Sequence, residues 1–237
     1  MKRLLLASHL LGLITSVNAF DFKDLALPIE LGEKHISKKP SIKETKFDLE
    51  KILYKLKESD IRNAPKIIIN NNGTKTIRYK RNKFQSGLSQ KELLKLIKYP
   101  NSYNLEQNFI KESIEFLIEL NISLEFITEE KNIAAKWEPI KKTIKINKSL
   151  IDLGSLTFAR VLNHEMIHIA QSCKAGSLES YPSLIGLKVK LNREKKYLLS
   201  NDIYKSITKL EKSLEDEAYT FQTDLKMGKL LIKKFCI

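Results

Sequence analysis

The apolar positions change period several times along the chain, and each change marks an element. Between Phe47 and Lys57, Leu49, Ile52, Leu53 and Leu56 recur at helical spacing, and Pro65 closes that element. Ile67-Ile68-Ile69, then Asn72-Gly73, then Thr76 to Tyr79 predicts a β-hairpin with an Asn-Gly turn. Ser89 followed three residues later by Glu92 is a capping box. It opens a short helix through Leu93, Leu94 and Ile97 that Tyr99-Pro100 ends. Leu105 to Leu120 reads as a helix with Phe109, Leu117 and Leu120 facing a core. Ile122 to Phe126 and Thr143 to Asn147 alternate, as half-buried strands do, with a loop carrying Trp137 and Pro139 between them. Leu156 to Ala170 is an apolar run that reads as a helix, with Ser155 as its N-cap and Gly176 placed to end it. Asp202 to Thr220 reads as a last helix, with Ile203, Ile207, Leu210, Leu214, Ala218 and Phe221 along one stripe. The pattern predicts an α+β fold.

The candidate chemistry lies inside the apolar run. His164-Glu165-Met166-Ile167-His168 is an HExxH pair, and residues four apart on a helix stand on one face. The two imidazoles can therefore serve one metal ion, with zinc expected, and Glu165 can reach a water beside it. Zinc would lower that water's pKa towards about 7 and polarise a carbonyl. Glu165 would act as general base and then as general acid towards the leaving amine. This is peptide-bond hydrolysis chemistry. Three fixed residues in a chain with 4 histidines outweigh the plainer alternative of two surface histidines on an amphipathic helix.

Composition narrows the setting. In 237 residues, an apolar fraction of 42% with 8 Gly and 6 Pro suits a packed domain with an extension, and no solenoid repeat or phosphate loop is visible. The formal charge is +14, spread along the chain as a lysine-coated surface. An anionic envelope surface is a partner such charge would suit, but no nucleic-acid signature accompanies it. Lys2 and Arg3 precede the apolar Leu4 to Thr15, with Val17 and Ala19 as small residues before a cleavage point. That predicts a signal peptide over residues 1–19, since the apolar run is shorter than the roughly 20 residues a membrane helix needs. The mature chain is thus expected to be secreted or periplasmic, with no transmembrane segment. Export permits a disulfide, and Cys173 and Cys236 are the two cysteines available. A bridge between them would pin the C-terminus to the end of the HExxH helix.

The order helix, strand, strand, HExxH helix resembles the zincin metallopeptidases, in particular their minimal, gluzincin-like members. The resemblance covers about residues 105–221. It implies a zincin-like core in which a strand ahead of the active helix pairs with extended substrate, a role that would fall to Ile144 to Asn147. The metzincin subclass is excluded, because Gln171 and Lys174 occupy the positions of its Gly and His. No histidine follows His168, so the third ligand must be a carboxylate. Glu217 falls on the apolar stripe of the last helix, where a carboxylate is costly unless compensated, and Glu217-Ala218 matches the Glu-Ala of gluzincin-like families. Glu215 is the second choice; it and Asp216 read as solvent-facing. The Asp that follows the Glu by four residues in well-known gluzincins is absent, since position 221 is Phe.

Other roles are shared out as follows. Tyr181, Tyr197, Tyr204 and Tyr219 all sit where an oxyanion-stabilising group would come from. Gln171 lies on the metal face and either supports a ligand or caps the helix end. His35 reads as an exposed histidine. Residues 20–100 are expected to be an N-terminal extension or subdomain without chemistry, and 101–237 a zincin-like metallopeptidase domain. The linker 177–201 is expected to line the cleft. The expectation is a secreted zinc peptidase acting on peptide or protein substrates. The alternative is a catalytically inactive zincin-like zinc-binding or structural protein of the cell envelope.

Overall fold

The element that carries the HExxH sequence is buried on almost every side, and the remaining elements are layered around it. The computed structural model describes residues 48–79, 88–128, 134–190 and 208–237. The signal segment, His35, Tyr197, Tyr204, Ile203 and Ile207 lie outside them. The fold is α+β, in the order α1 (Leu49–Asn63), β1 (Lys66–Ile69), β2 (Lys75–Arg78), α2 (Gln90–Lys98), α3 (Asn104–Glu119), β3 (Ser123–Ile127), β4 (Ala135–Glu138), β5 (Thr143–Asn147), α4 (Ser155–Lys174), α5 (Lys209–Phe221) and α6 (Met227–Phe235).

β1 and β2 form the expected antiparallel hairpin, with Lys66 opposite Arg78. Its loop runs from Asn70 to Thr74, closed by backbone bonds between those residues, with Gly73 at a φ of 77°. The capping box of α2 is present: the Ser89 N–H donates to Glu92 Oε2 at 2.7 Å, and the Glu92 N–H donates to Ser89 Oγ at 3.3 Å.

The second sheet differs from the expected one. Trp137 lies in a strand, β4, and the chain then turns through a 3-10 segment, Pro139–Lys141, before β5. Spatial order is β3-β5-β4, with β5 parallel to β3 and antiparallel to β4. β5 is therefore the central strand, paired along both sides. It has no backbone edge left for a substrate, which corrects the role expected of Ile144 to Asn147. β4 is at the edge. Its short A-K-W-E run hid it from a reading based on alternation, yet Ala135 and Trp137 turn to one buried face.

The core joins both halves of the chain. Ile52 and Leu56 of α1, Ile110, Ile114 and Leu117 of α3, Ile144 and Ile146 of β5, and Phe158, Leu162 and Met166 of α4 form one buried cluster. Each such side chain contributes roughly 1.5–3 kcal/mol of hydrophobic stabilisation. α1 thus lies in the same core as the HExxH helix. It also starts that helix. Ser155 is the first helical residue and Gly154, at φ 90°, is the N-cap, without a side-chain cap of its own. Asp60 of α1 supplies the acceptor instead: Ser155 N–H donates to Oδ1 at 2.8 Å and Ser155 Oγ to Oδ2 at 2.6 Å. A Cβ at position 154 would run into Asp60, so glycine is required there for space as well as for φ.

The far side of α4 is closed by α5 and α6. Asn163, fully buried, donates through Nδ2 to the carbonyls of Phe221, Gln222 and Asp224 and accepts at Oδ1 from the Gly228 N–H, at 2.9–3.1 Å. One side chain thereby fixes the turn between the two helices. A disulfide joins Cys173 at the end of α4 to Cys236 just past α6. Among the described residues, no helix is long and apolar enough to cross a membrane.

Candidate metal centre

α4 delivers the two histidines on one face, as the spacing required. His164 Nε2 and His168 Nε2 lie 3.0 Å apart, and their rings meet edge to face. The third group is Glu215. Its Oε2 lies 3.2 Å from His164 Nε2 and its Oε1 lies 3.2 Å from His168 Nε2. All three residues are buried, and together they form a group able to hold a metal ion.

Glu217, the expected third ligand, is buried but does not reach the imidazoles. The physical reason is where α5 packs. Glu215, Ala218, Tyr219 and Gln222 follow one another at helical spacing, and all four are buried against α4's side of the molecule. Leu210, at the start of the apolar stripe that carries Glu217, is 52% exposed. The described helix begins at Lys209, behind a capping box made by Thr208 and Glu211, and the expected positions Ile203 and Ile207 lie outside the described residues. Glu217 is covered from the other side by residues 185–187, whose backbone N–H groups donate to its carboxylate.

The remaining groups fall into place around this cluster. Gln171 supports a ligand: its Oε1 accepts from His168 Nδ1 at 2.7 Å, while its Nε2 donates to Leu214 O at 3.1 Å and to Glu217 Oε2 at 3.0 Å. Tyr219 packs its ring 4.7 Å from that of His164 and lines a small pocket with His164, Glu165, Ala134 and Gln222. Tyr181, by contrast, is 56% exposed. Of the linker expected to line a cleft, 177–190 is described, and the Ser183 N–H donates to Gln171 O at 3.0 Å. Tyr219 stands four residues from Glu215 on one face of α5, which is why its ring reaches His164.

Electrostatics follow from burial among opposite charges. Burial disfavours charge on Glu215, but His168 and His164 beside it hold its carboxyl well below the ordinary carboxylate range. Burial likewise works against a charged His168, yet Glu215 outweighs it and the imidazole is pushed up to about 9. Glu165 is pushed up by burial, against the opposing pull of both histidines, and takes a hydrogen bond from the Trp137 backbone N–H. The edge strand and the candidate base are therefore in contact. Trp137 also donates from its indole to Ser172 Oγ at 3.0 Å, which ties β4 to α4.

A metal ion fits these residues. Glu215 Oε2 is buried without a hydrogen-bond partner in the described structure, although it faces the His164 imidazole nitrogen. Two imidazole nitrogens 3.0 Å apart, each 3.2 Å from one oxygen of the Glu215 carboxylate, form a donor set that suits a three-ligand site.

Residues 89–237 match a protein family described as a domain of unknown function, DUF8637. The chain belongs to this family. The DUF8637 region begins at the capping box of α2 and contains every residue of the metal cluster, Glu165, Gln171, Tyr219 and both cysteines, while α1 and its Asp60 precede it. No curated protein and no solved structure matches the chain.

Proposed function

We propose that this chain is a zinc-dependent peptidase with a zincin-like core, using His164, His168 and Glu215 as ligands and Glu165 as the catalytic base. The observation that carries the reading is the convergence of Glu215 from α5 on the two α4 imidazoles, with Glu165 next to the first of them in sequence. Two imidazoles and one carboxylate are a donor set that suits zinc and leaves a coordination position open. When bound there, the ion supplies Lewis acidity towards a carbonyl and acidifies water.

The chain's own residues then have distinct tasks. Glu165, with its proton affinity raised by burial, takes the proton of the attacking water and hands it to the departing amine. Gln171 holds His168 in one tautomer. Tyr219, on the pocket wall, is the described tyrosine best placed to face a developing oxyanion. β4 offers an edge beside Glu165 along which an extended peptide could lie. Export belongs to the same reading: the signal-like N-terminus and the Cys173–Cys236 disulfide both suit an oxidising compartment.

The test is cleavage of a peptide library by the mature protein. Wild type loaded with zinc should cleave, lose activity to a chelator and regain it with zinc. Glu165→Gln should keep its zinc and lose roughly a hundredfold or more in rate. Zinc-loaded wild type that cleaves nothing, or a Glu165→Gln variant as active as wild type, would reject the peptidase. A second reading, a zinc-binding protein of the cell envelope that does not hydrolyse peptides, is favoured by one observation: Glu165 and all three ligands are buried. It predicts zinc uptake, no cleavage and a Glu165→Gln variant that behaves as wild type.

A further inference from the structure

Glu217 belongs to the site without touching an imidazole. Its carboxylate receives four hydrogens: Oε1 from the N–H groups of Gly186 (2.7 Å) and Leu187 (2.8 Å), and Oε2 from the Ile185 N–H and Gln171 Nε2 (both 3.0 Å). The residue is 2% exposed. A carboxylate at that depth is strongly disfavoured unless it is hydrogen-bonded, and four donors both meet that cost and fix its position.

Gln171 is equally constrained. Its Nε2 faces Leu214 O and Glu217 Oε2, groups that can only accept, so the amide has one possible orientation. Oε1 is then the atom 2.7 Å from His168 Nδ1. An amide oxygen cannot donate, so His168 carries its hydrogen on Nδ1. Its neutral form presents a bare Nε2 towards His164 and Glu215. Backbone 185–187, Glu217, Gln171 and His168 thus form one continuous series of hydrogen bonds.

We infer that Gln171 and Glu217 are positioning residues for a metal at His168, and that they couple metal affinity to the docking of residues 185–187. The inference rests on the metal reading above. The charge on Glu217 polarises the Gln171 amide and strengthens its oxygen as an acceptor, which makes the imidazole a better donor at Nε2. Coupling is reciprocal: an ion at Nε2 acidifies Nδ1–H, shortens the same series and tightens the 185–187 backbone. Residues that only filled space would do neither.

Zinc affinity, measured against a competing chelator on the full mature chain, provides the test. Glu217→Gln places a donor among donors and should weaken zinc binding by about 10–100-fold. Combining it with Gln171→Glu puts the carboxylate directly on His168 Nδ1 and should recover most of that loss. Amide exchange of wild type supplies a measurement that needs no variant: the N–H groups of 185–187 should exchange more slowly once zinc is bound. The relay is overturned if Glu217→Gln binds zinc as wild type does, or if the double variant binds no better than the single one. It is also overturned if exchange at 185–187 ignores zinc. Wild type that takes up no zinc rejects the metal reading itself, and this inference with it; zinc-binding wild type with indifferent variants rejects the relay alone.

Discussion

Glu215 and Glu217 stand two residues apart on α5 and direct their carboxylates to opposite sides of it. Glu215 reaches both imidazoles at 3.2 Å, while Glu217 turns to Gln171 and the backbone of 185–187. Two residues advance roughly 200° around a helix, so one α5 face closes the candidate metal site and the other holds the segment behind it. The helix is buried from two directions, and each buried carboxylate has its own compensation: imidazoles for one, N–H donors for the other.

The metal-free protein should lose stability as pH rises from neutral. His168 has its folded pKa raised from 6.5 to about 9, so its contribution is complete below pH 6.5 and disappears as pH climbs through 9. Glu165, raised from 4.5 by burial, adds a loss of the same sign above that value. Glu215 is depressed from 4.5, so its contribution is present above pH 4.5 and is lost as pH falls. The His168–Glu215 pair therefore stabilises most between pH 4.5 and 6.5. Melting of metal-free protein should show a steady fall from pH 6.5 to 9, whereas zinc-loaded protein should not, because the ion replaces the proton. A metal-free melting temperature that is level across that interval would contradict this account of the pair.

Asp60→Ala should destabilise the protein through a helix that lies far along the chain. It removes the acceptor for Ser155 N–H and Oγ at the start of α4, at a cost of about 1–2 kcal/mol. Urea denaturation would measure it. The same reasoning predicts that a fragment confined to residues 89–237 is less stable than the longer chain, since it lacks both Asp60 and the buried Leu56.

Asn163→Ala should cost more, about 3 kcal/mol. It leaves the Gln222 carbonyl and the Gly228 N–H without their partner in a buried turn, while the Phe221 and Asp224 carbonyls keep one backbone hydrogen bond each. Gly228→Ala attacks the same joint from the other side, because a Cβ there would stand 2.6 Å from Asn163 Oδ1 and 2.7 Å from Met166 Cβ. Both variants should lower the melting temperature while the hairpin and α2 are unaffected by amide exchange.

Local signals carried most of the fold in the sequence. The hairpin, the capping box at Ser89 and Glu92, the alternation of 143–147 and the face shared by His164 and His168 are all encoded within a few residues, and the structure contains each of them. Relationships between distant segments were not legible. β4 is too short to alternate visibly, and only its partner β5 defines it. The Asp60 cap joins residues with no periodic relation. Glu215 and Glu217 are both buried and both face groups of α4, and only the packing of the two helices decides which carboxylate meets the imidazoles. The disulfide was legible because two cysteines permit one intramolecular pairing. Closing a loop of that length stabilises by about 4 kcal/mol in the chain-entropy model.

The most direct measurement is zinc stoichiometry by native mass spectrometry on wild type, Glu215→Ala and Glu217→Ala. One zinc per chain is expected for wild type, none for Glu215→Ala under the same conditions, and a weakened but detectable single zinc for Glu217→Ala. Wild type without zinc, or a Glu215→Ala variant that holds it as firmly as wild type, would contradict the site described here.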